Sequence, residues 1–299
     1  MNRAVTSLFS LLLLAASMTV SAATWIVDFT GEPENFRLER GNQTIPVEIY
    51  RQLQPNDRLF VLVDDSSISL KQDDGSSIEI QKSNSPYVIQ DQGKPPAAPD
   101  NFLHACRTWL TRQRLEEADR PVIGIYTRGD PVPPISLPLA PAAKVRLSAG
   151  TRPLYLAWQG GEPPYQVRLT NAAGKELWKQ TGIAAPGGNT QPFRTAPVSL
   201  KPGQYRLIIS DDAKRQVIVA VEAVSAIPLP PSATLAGITD ADIRQTLEAL
   251  WLVSQGEAWW LEAYQRVMPV EAQHRPARLL RYSLEKDQAP PLVKANGLN

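Results

Sequence analysis

Little in this 299-residue chain is suited to making or breaking bonds. Its single cysteine, Cys106, cannot form an internal disulfide, so stability has to come from apolar cores. The two histidines, His104 and His274, fall in different predicted segments, and no Cys or His pair has the spacing of metal ligands. No Gly-x-Ser-x-Gly elbow is present to carry a hydrolytic nucleophile. Gly160-Gly161 and Gly187-Gly188 precede predicted strands instead of helix N-termini, which excludes a phosphate cradle. Asp64-Asp65 and Asp73-Asp74 lack the every-second-residue spacing of a calcium loop. Charge of one sign is missing as well. Thirty-one basic residues stand against 30 acidic ones, so the chain has no long-range attraction for nucleic acid or anionic lipid. Beyond the first residues no apolar run approaches the roughly 20 residues that span a bilayer. These absences predict no enzyme, no cofactor, no metal site, no nucleic-acid partner and no membrane span after the leader.

Proline is the residue in excess. There are 27, against a usual share of about 5%, and their clusters divide the chain. Residues 1–23 read as a secretory signal: Arg3 supplies a positive charge, Leu8 to Ala16 an apolar stretch, and Val20-Ser21-Ala22-Ala23 a small-residue exit. Cleavage after Ala22 or after Ala23 satisfies the pattern, and the expected location is periplasmic or secreted. Residues 92–99, 130–143 and 227–232 read as linkers. Between them lie a β domain (24–91), a helix-and-strand connector (100–127), a β-sandwich (142–225) and a helical module (232–286). The predicted class is mainly β, with a small N-terminal β domain and an immunoglobulin-like sandwich, an intervening helix and a C-terminal helical hairpin. Each segment between the prolines is expected to close its own core.

In the first β domain Trp25, Val27 and Phe29 alternate, as do Phe36 and Leu38, Val47 and Ile49, and Leu59, Val61 and Val63. Asp74-Gly75 separates Ile68 and Leu70 from Ile78 and Ile80, a strong hairpin signal because the turn needs positive φ. The order Asn56-Asp57-Arg58-Leu59, Ser67-Ile68-Ser69-Leu70, Asp74-Gly75-Ser76 and Ile78-Glu79-Ile80 resembles the FecR-like periplasmic domain, in which a Gly-Asp-Arg step, a strand, an Asp-Gly-Ser hairpin and another strand follow in turn. Here Asn56 stands where that pattern has glycine. The resemblance implies a periplasmic β domain; FecR-type regulators also carry a cytoplasmic arm and a transmembrane helix, and this chain shows neither pattern, so their signalling mechanism does not transfer.

Asp100 is expected to cap a helix reaching Ala118, with Phe102, Leu103, Cys106, Trp109 and Leu110 inward and His104 pointing away from Cys106. Val122 to Tyr126 reads as a strand, and Arg128-Gly129-Asp130 as turn chemistry before Pro131. In the sandwich, Leu154, Leu156 and Trp158 alternate, then Tyr165, Val167 and Leu169, then Tyr205, Leu207 and Ile209, then Val217, Val219 and Val221. The Pro202-Gly203 turn before Tyr205 predicts a tyrosine corner, its hydroxyl bonded to backbone a few residues upstream.

In the last module Thr239 is expected to cap a helix with Ile243, Leu247, Leu250 and Trp251 on its buried stripe. Gly256 breaks it, a second helix follows, and a third begins near Pro276. Leu261-Glu262-Ala263-Tyr264 resembles one helical pair of a tetratricopeptide-type repeat, which cannot bury its own face and should dock elsewhere. Arg275, Arg278 and Arg281 read as a solvated stripe. Trp259 and Trp260 point about 100° apart, so one is expected to pack against the helical pair and the other against the sandwich or a partner; packing within the chain is the favoured reading, and the two are the candidate partner contacts. The expected role is a non-catalytic extracytoplasmic scaffold or sensor binding an envelope protein. The competing expectation is recognition of cell-wall glycan or peptide by the N-terminal β domain.

Overall fold

The computed structural model describes residues 23–90, 101–118, 132–184 and 192–292. The leader, the 92–99 linker, the Val122–Tyr126 strand, the Arg128-Gly129-Asp130 turn and Gly187-Gly188 lie outside the described residues.

The first eight strands are β1 (Thr24–Thr30), β2 (Phe36–Arg40), β3 (Gln43–Ile45), β4 (Gln52–Leu53), β5 (Arg58–Val61), β6 (Ser67–Gln72), β7 (Ser77–Gln81) and β8 (Tyr87–Val88). They form two four-stranded sheets, β4-β1-β6-β7 and β3-β2-β5-β8, antiparallel throughout. Alternation places Trp25, Phe29, Phe36, Leu38, Leu59, Val61, Ile68, Leu70 and Ile80 inside. The Asp74-Gly75 turn joins β6 to β7 with Gly75 at φ 84°. Val47 and Ile49, expected as a strand, are irregular chain that ends at Tyr50 with φ 61°. Ile49 is still fully buried, so the alternation reported burial and not strand geometry.

Helix α1 (Asn101–Ala118) buries Phe102, Cys106, Trp109 and Leu110 and leaves His104 exposed. The sandwich comprises β9 (Lys144–Ser148), β10 (Gly150–Arg152), β11 (Tyr155–Leu156), β12 (Tyr165–Asn171), β13 (Glu176–Ile183), β14 (Phe193–Arg194), β15 (Val198–Leu200), β16 (Gly203–Ser210) and β17 (Gln216–Val224). Its main sheet runs β13-β12-β16-β17-β9, with β9 parallel to β17. Two ribbons, β10–β15 and β11–β14, complete it. Edge contacts of Trp158 with Tyr165 and Phe193, and a tilted contact of Trp178 with Phe193, join ribbon to sheet. The tyrosine corner is formed: the Tyr205 hydroxyl donates to the Lys201 carbonyl at 2.7 Å and accepts from the Lys201 amide at 3.0 Å.

The proline-rich stretch before β9 is not a free spacer. Ile135, Leu137 and Leu139 enter the core, and Ser136 exchanges two 2.9 Å backbone bonds with Gln159. Helices α2 (Ala241–Ser254), α3 (Trp260–Val267) and α4 (Arg275–Glu285) follow. The cap of α2 is Asp240, one residue after the expected Thr239, because its carboxylate accepts from the Ile243 amide at 2.8 Å. Helix α3 packs on β9, while α4 touches both α1 and β1. The helical module is thus wedged between the two β units, and one apolar core runs from Trp25 to Leu292. The expectation that each segment closes its own interior is corrected here: three short helices have too little inner surface for that, and they bury their outer faces on both neighbours.

Candidate functional site

One gathering of polar side chains lies at the junction of the N-terminal sheets with the helices. His274, just before α4, is buried against Tyr50, with its Nε2 2.6 Å from the Tyr50 hydroxyl and the rings stacked at 5.8 Å. Beside them Lys71 of β6 contacts Asp242 and lies 3.2 Å from Asp240. Burial works against the Lys71 charge, but the two carboxylates more than reverse it and hold its pKa above the ordinary value. Burial pushes the Tyr50 phenol well up. It pushes His274 down to about 3, helped by Lys71 and opposed by Asp242. One proton therefore bridges a neutral phenol and a neutral imidazole. At 2% exposure His274 has no access to a substrate, and the arrangement acts as a lock between units.

That lock makes a prediction. The unfolded imidazole titrates near 6.5, the folded one near 3, so within this window the unfolded chain binds more protons. Stability is fully present above the unfolded value and is lost as pH falls toward 3. From pH 7 to pH 5 the loss should be about 2 kcal/mol. Urea unfolding of wild type and His274→Gln at both pH values measures it; equal pH slopes would show that His274 is not the titrating group.

Trp259 and Trp260 do not form an exposed contact. Both are 7% exposed, and the Arg146 guanidinium of β9 sits 5.5 Å from the Trp259 ring centre. The candidate partner contact is corrected on this point: both rings are buried within the chain, as the internal-packing alternative expected. The arginine stripe is only partly solvated, with Arg275 and Arg278 about a third exposed and Arg281 buried. Arg275 pairs with Glu117 at 2.9 Å, and Arg281 with Glu285 at 2.9 Å and Glu271 at 3.3 Å. Glu262 of α3 is fully buried, accepting from the Ser148 amide at 3.0 Å and from Arg152.

The outer face of β3-β2-β5-β8 is different. Register places Arg37 opposite Phe60, Glu39 opposite Arg58, and Arg58 opposite Val88, so all five side chains share one face. The guanidinium of Arg37 lies 4.4 Å and that of Arg58 5.0 Å from the Phe60 ring centre. Glu39 bridges them at 3.1 and 3.4 Å. Two cations share one carboxylate, leaving a local excess of positive charge. Leu62, Val63 and Val88, each more than 40% exposed, border it, and they are three of the six large apolar side chains exposed among the described residues. Sequence reasoning missed this face because its charged residues alternate with core residues and read as ordinary strand exteriors. The signal was Leu62 next to Val63, which no alternation can bury together.

At the far end of the sandwich a cleft of about 370 Å³ lies between Tyr165, Thr181, Asp211 and Gln216. Asp211, its buried carboxylate, is already engaged by the Arg215 side chain at 2.7 Å and by the Arg215 and Glu162 amides. Against burial, which raises it, these bonds hold its pKa below the ordinary value. Among the described residues no group of three or more His, Cys, Asp or Glu side chains could hold a metal ion, and no helix is long and apolar enough to cross a membrane.

No family model matches the chain, and no curated protein matches it. Among solved structures, that described as "Crystal structure of Dpr1 IG1 bound to DIP-eta IG1" is similar over 35% of this chain and 100% of that one, at 14% identity and a TM-score of 0.18. So low a score carries no argument, and the sandwich rests on its own strand pairing.

Proposed function

We propose that this is a non-catalytic protein of the cell envelope, a scaffold or sensor that binds a protein partner through the outer face of β2, β5 and β8. The observation that carries the reading is the juxtaposition of Arg37, Arg58 and Phe60 with exposed Leu62 and Val88 on one side of the β3-β2-β5-β8 sheet. Hot spots commonly combine arginine and aromatic residues with an apolar surround, and the surplus cation favours a partner that presents a carboxylate. The competing reading, cell-wall glycan, has less support here. A sugar binds an aromatic by stacking on its face, and guanidinium groups already lie against Phe60. A FecR-like identity for β1–β8 belongs to the same proposal. Asn56 has φ 66°, a conformation free for glycine and tolerated by asparagine, which supports reading it as the substitute for the pattern's glycine.

The test is a photo-crosslinking residue at Leu62 in the full chain, with and without Arg37→Ala/Arg58→Ala. The expected result is a protein adduct in the envelope fraction, with the double substitution weakening binding about tenfold or more. An unchanged adduct in the double variant, or retention of the chain on isolated peptidoglycan without any protein adduct, would overturn the assignment.

A further inference from the structure

The N-terminal end of β1 is held by an acidic side chain in an arrangement that suits a free amino terminus. The backbone nitrogen of Ala23 lies 2.8 Å from Asp73 Oδ2, and the Asp73 amide donates back to the Ala23 carbonyl at 3.0 Å. Asp73 also grips the helical module. Its other oxygen, Oδ1, accepts from the Thr239 amide at 3.4 Å, and its carbonyl accepts from the Thr239 hydroxyl at 3.3 Å. Thr239 immediately precedes Asp240, the cap of α2. One residue later the surroundings change: Thr24 is 3% exposed and already paired with Leu53 and Gln72.

We propose that the chain is cut between Ala22 and Ala23, and that the new Ala23 ammonium forms an ion pair with the Asp73 carboxylate, clasping the mature terminus to the β6–β7 turn. The inference rests on the reading of residues 1–22 as a secretory leader, and it selects one of the two exits which that reading left open. The step is hydrolysis by a leader endopeptidase. The Ala22–Ala23 C–N bond breaks, the Ala22 carbonyl takes the oxygen of a water molecule and becomes a carboxylate, and the Ala23 nitrogen takes both of that water's protons and becomes an ammonium. An α-amine, with a usual pKa of about 7.7–8.0, is then mostly an ammonium at neutral pH.

Chemistry favours this exit over the next one. A neutral amide bonded to a carboxylate leaves the negative charge unbalanced, whereas an ammonium at the same position neutralises it and shortens the bond. A cut after Ala23 would delete both bonds made by that residue. It would also place the new positive charge at Thr24, inside the strand ladder. The clasp has a structural consequence too: the same carboxylate ties the processed end to the approach to α2, so leader removal strengthens the seam between the N-terminal unit and the helices.

Two measurements test the proposal. The first is the intact mass and N-terminal sequence of protein secreted from the full precursor, expected to begin at Ala23. The second is unfolding of the processed chain and of a chain made without the leader but with Met-Gly ahead of Ala23, each with and without Asp73→Asn. The substitution should lower the folding constant of the processed chain roughly three- to fivefold more than that of the extended one. A mature protein beginning at Thr24, or equal losses in both backgrounds, would overturn the clasp while leaving the secretory reading intact. An exported chain that keeps residues 1–22 would instead overturn the secretory reading.

Discussion

Replacing Glu262 by alanine should lower the unfolding free energy by about 3 kcal/mol and loosen the helical module from the sandwich. Glu262 has no solvent exposure, and its two oxygens accept from the Ser148 amide at 3.0 Å and from both terminal nitrogens of Arg152, one of them at 3.2 Å. Arg266, one turn along α3, adds a contact at 3.6 Å. Alanine leaves a half-buried guanidinium and a backbone amide without this acceptor. The cost is that of the groups left behind, not of the bond alone. Because Glu262 is on α3 while Ser148 and Arg152 are on β9 and β10, the loss falls on the seam. Denaturant unfolding followed by tryptophan fluorescence should show a lower midpoint and a broader transition. A loss below about 1 kcal/mol would mean that water replaces the carboxylate and that the seam is held by apolar contact.

Gly160→Ala should be about as damaging, at about 3 kcal/mol, for a different reason. Gly160 has φ 73°, and a Cβ there would stand 2.2 Å from the Pro134 carbonyl oxygen and 2.8 Å from that of Pro133. Both atoms are backbone, in the strap that carries Ile135, Leu137 and Leu139 into the core. The strap would have to lift. Gly174→Ala is the matched comparison: its φ of 81° is similar, but nothing lies within 4 Å of the added carbon. That variant should lose only the conformational cost of about 1 kcal/mol. Equal losses for the two would show that the close approach at Gly160 contributes nothing. Thermal or urea unfolding of the pair decides it.

The features read correctly from the sequence were those whose cause is local. The Asp74-Gly75 turn requires positive φ, and the Tyr205 corner needs only a Pro-Gly turn and a strand start. The inward stripe of α1, with Cys106 on it and His104 off it, follows from helical spacing. Errors came where a residue had two ways of being satisfied. Asp240 outcompeted Thr239 as a cap because Thr239 bonds Asp73, 166 residues away. Ile135, Leu137 and Leu139 alternate plainly, but the prolines around them left open whether the stretch is a spacer or lies along a neighbouring module. Trp259 and Trp260 left packing within the chain and contact with another protein both open, and burial of the two rings decided for the first.

The sequence by itself determined most of the strands, the Asp74-Gly75 and Pro202-Gly203 turns, the inward face of α1 and the mainly β class, because each depends on neighbours within a few residues and on a period of two or of 3.6. The tertiary structure alone decided that the helices are a wedge between two β units, that Glu262 and His274 are interior, and that exposed Leu62 and Val63 follow β5 while exposed Val88 lies on β8. Those outcomes depend on which long-range contact excludes more water from a given side chain, and the spacing of residues along a strand or helix carries no information about that choice.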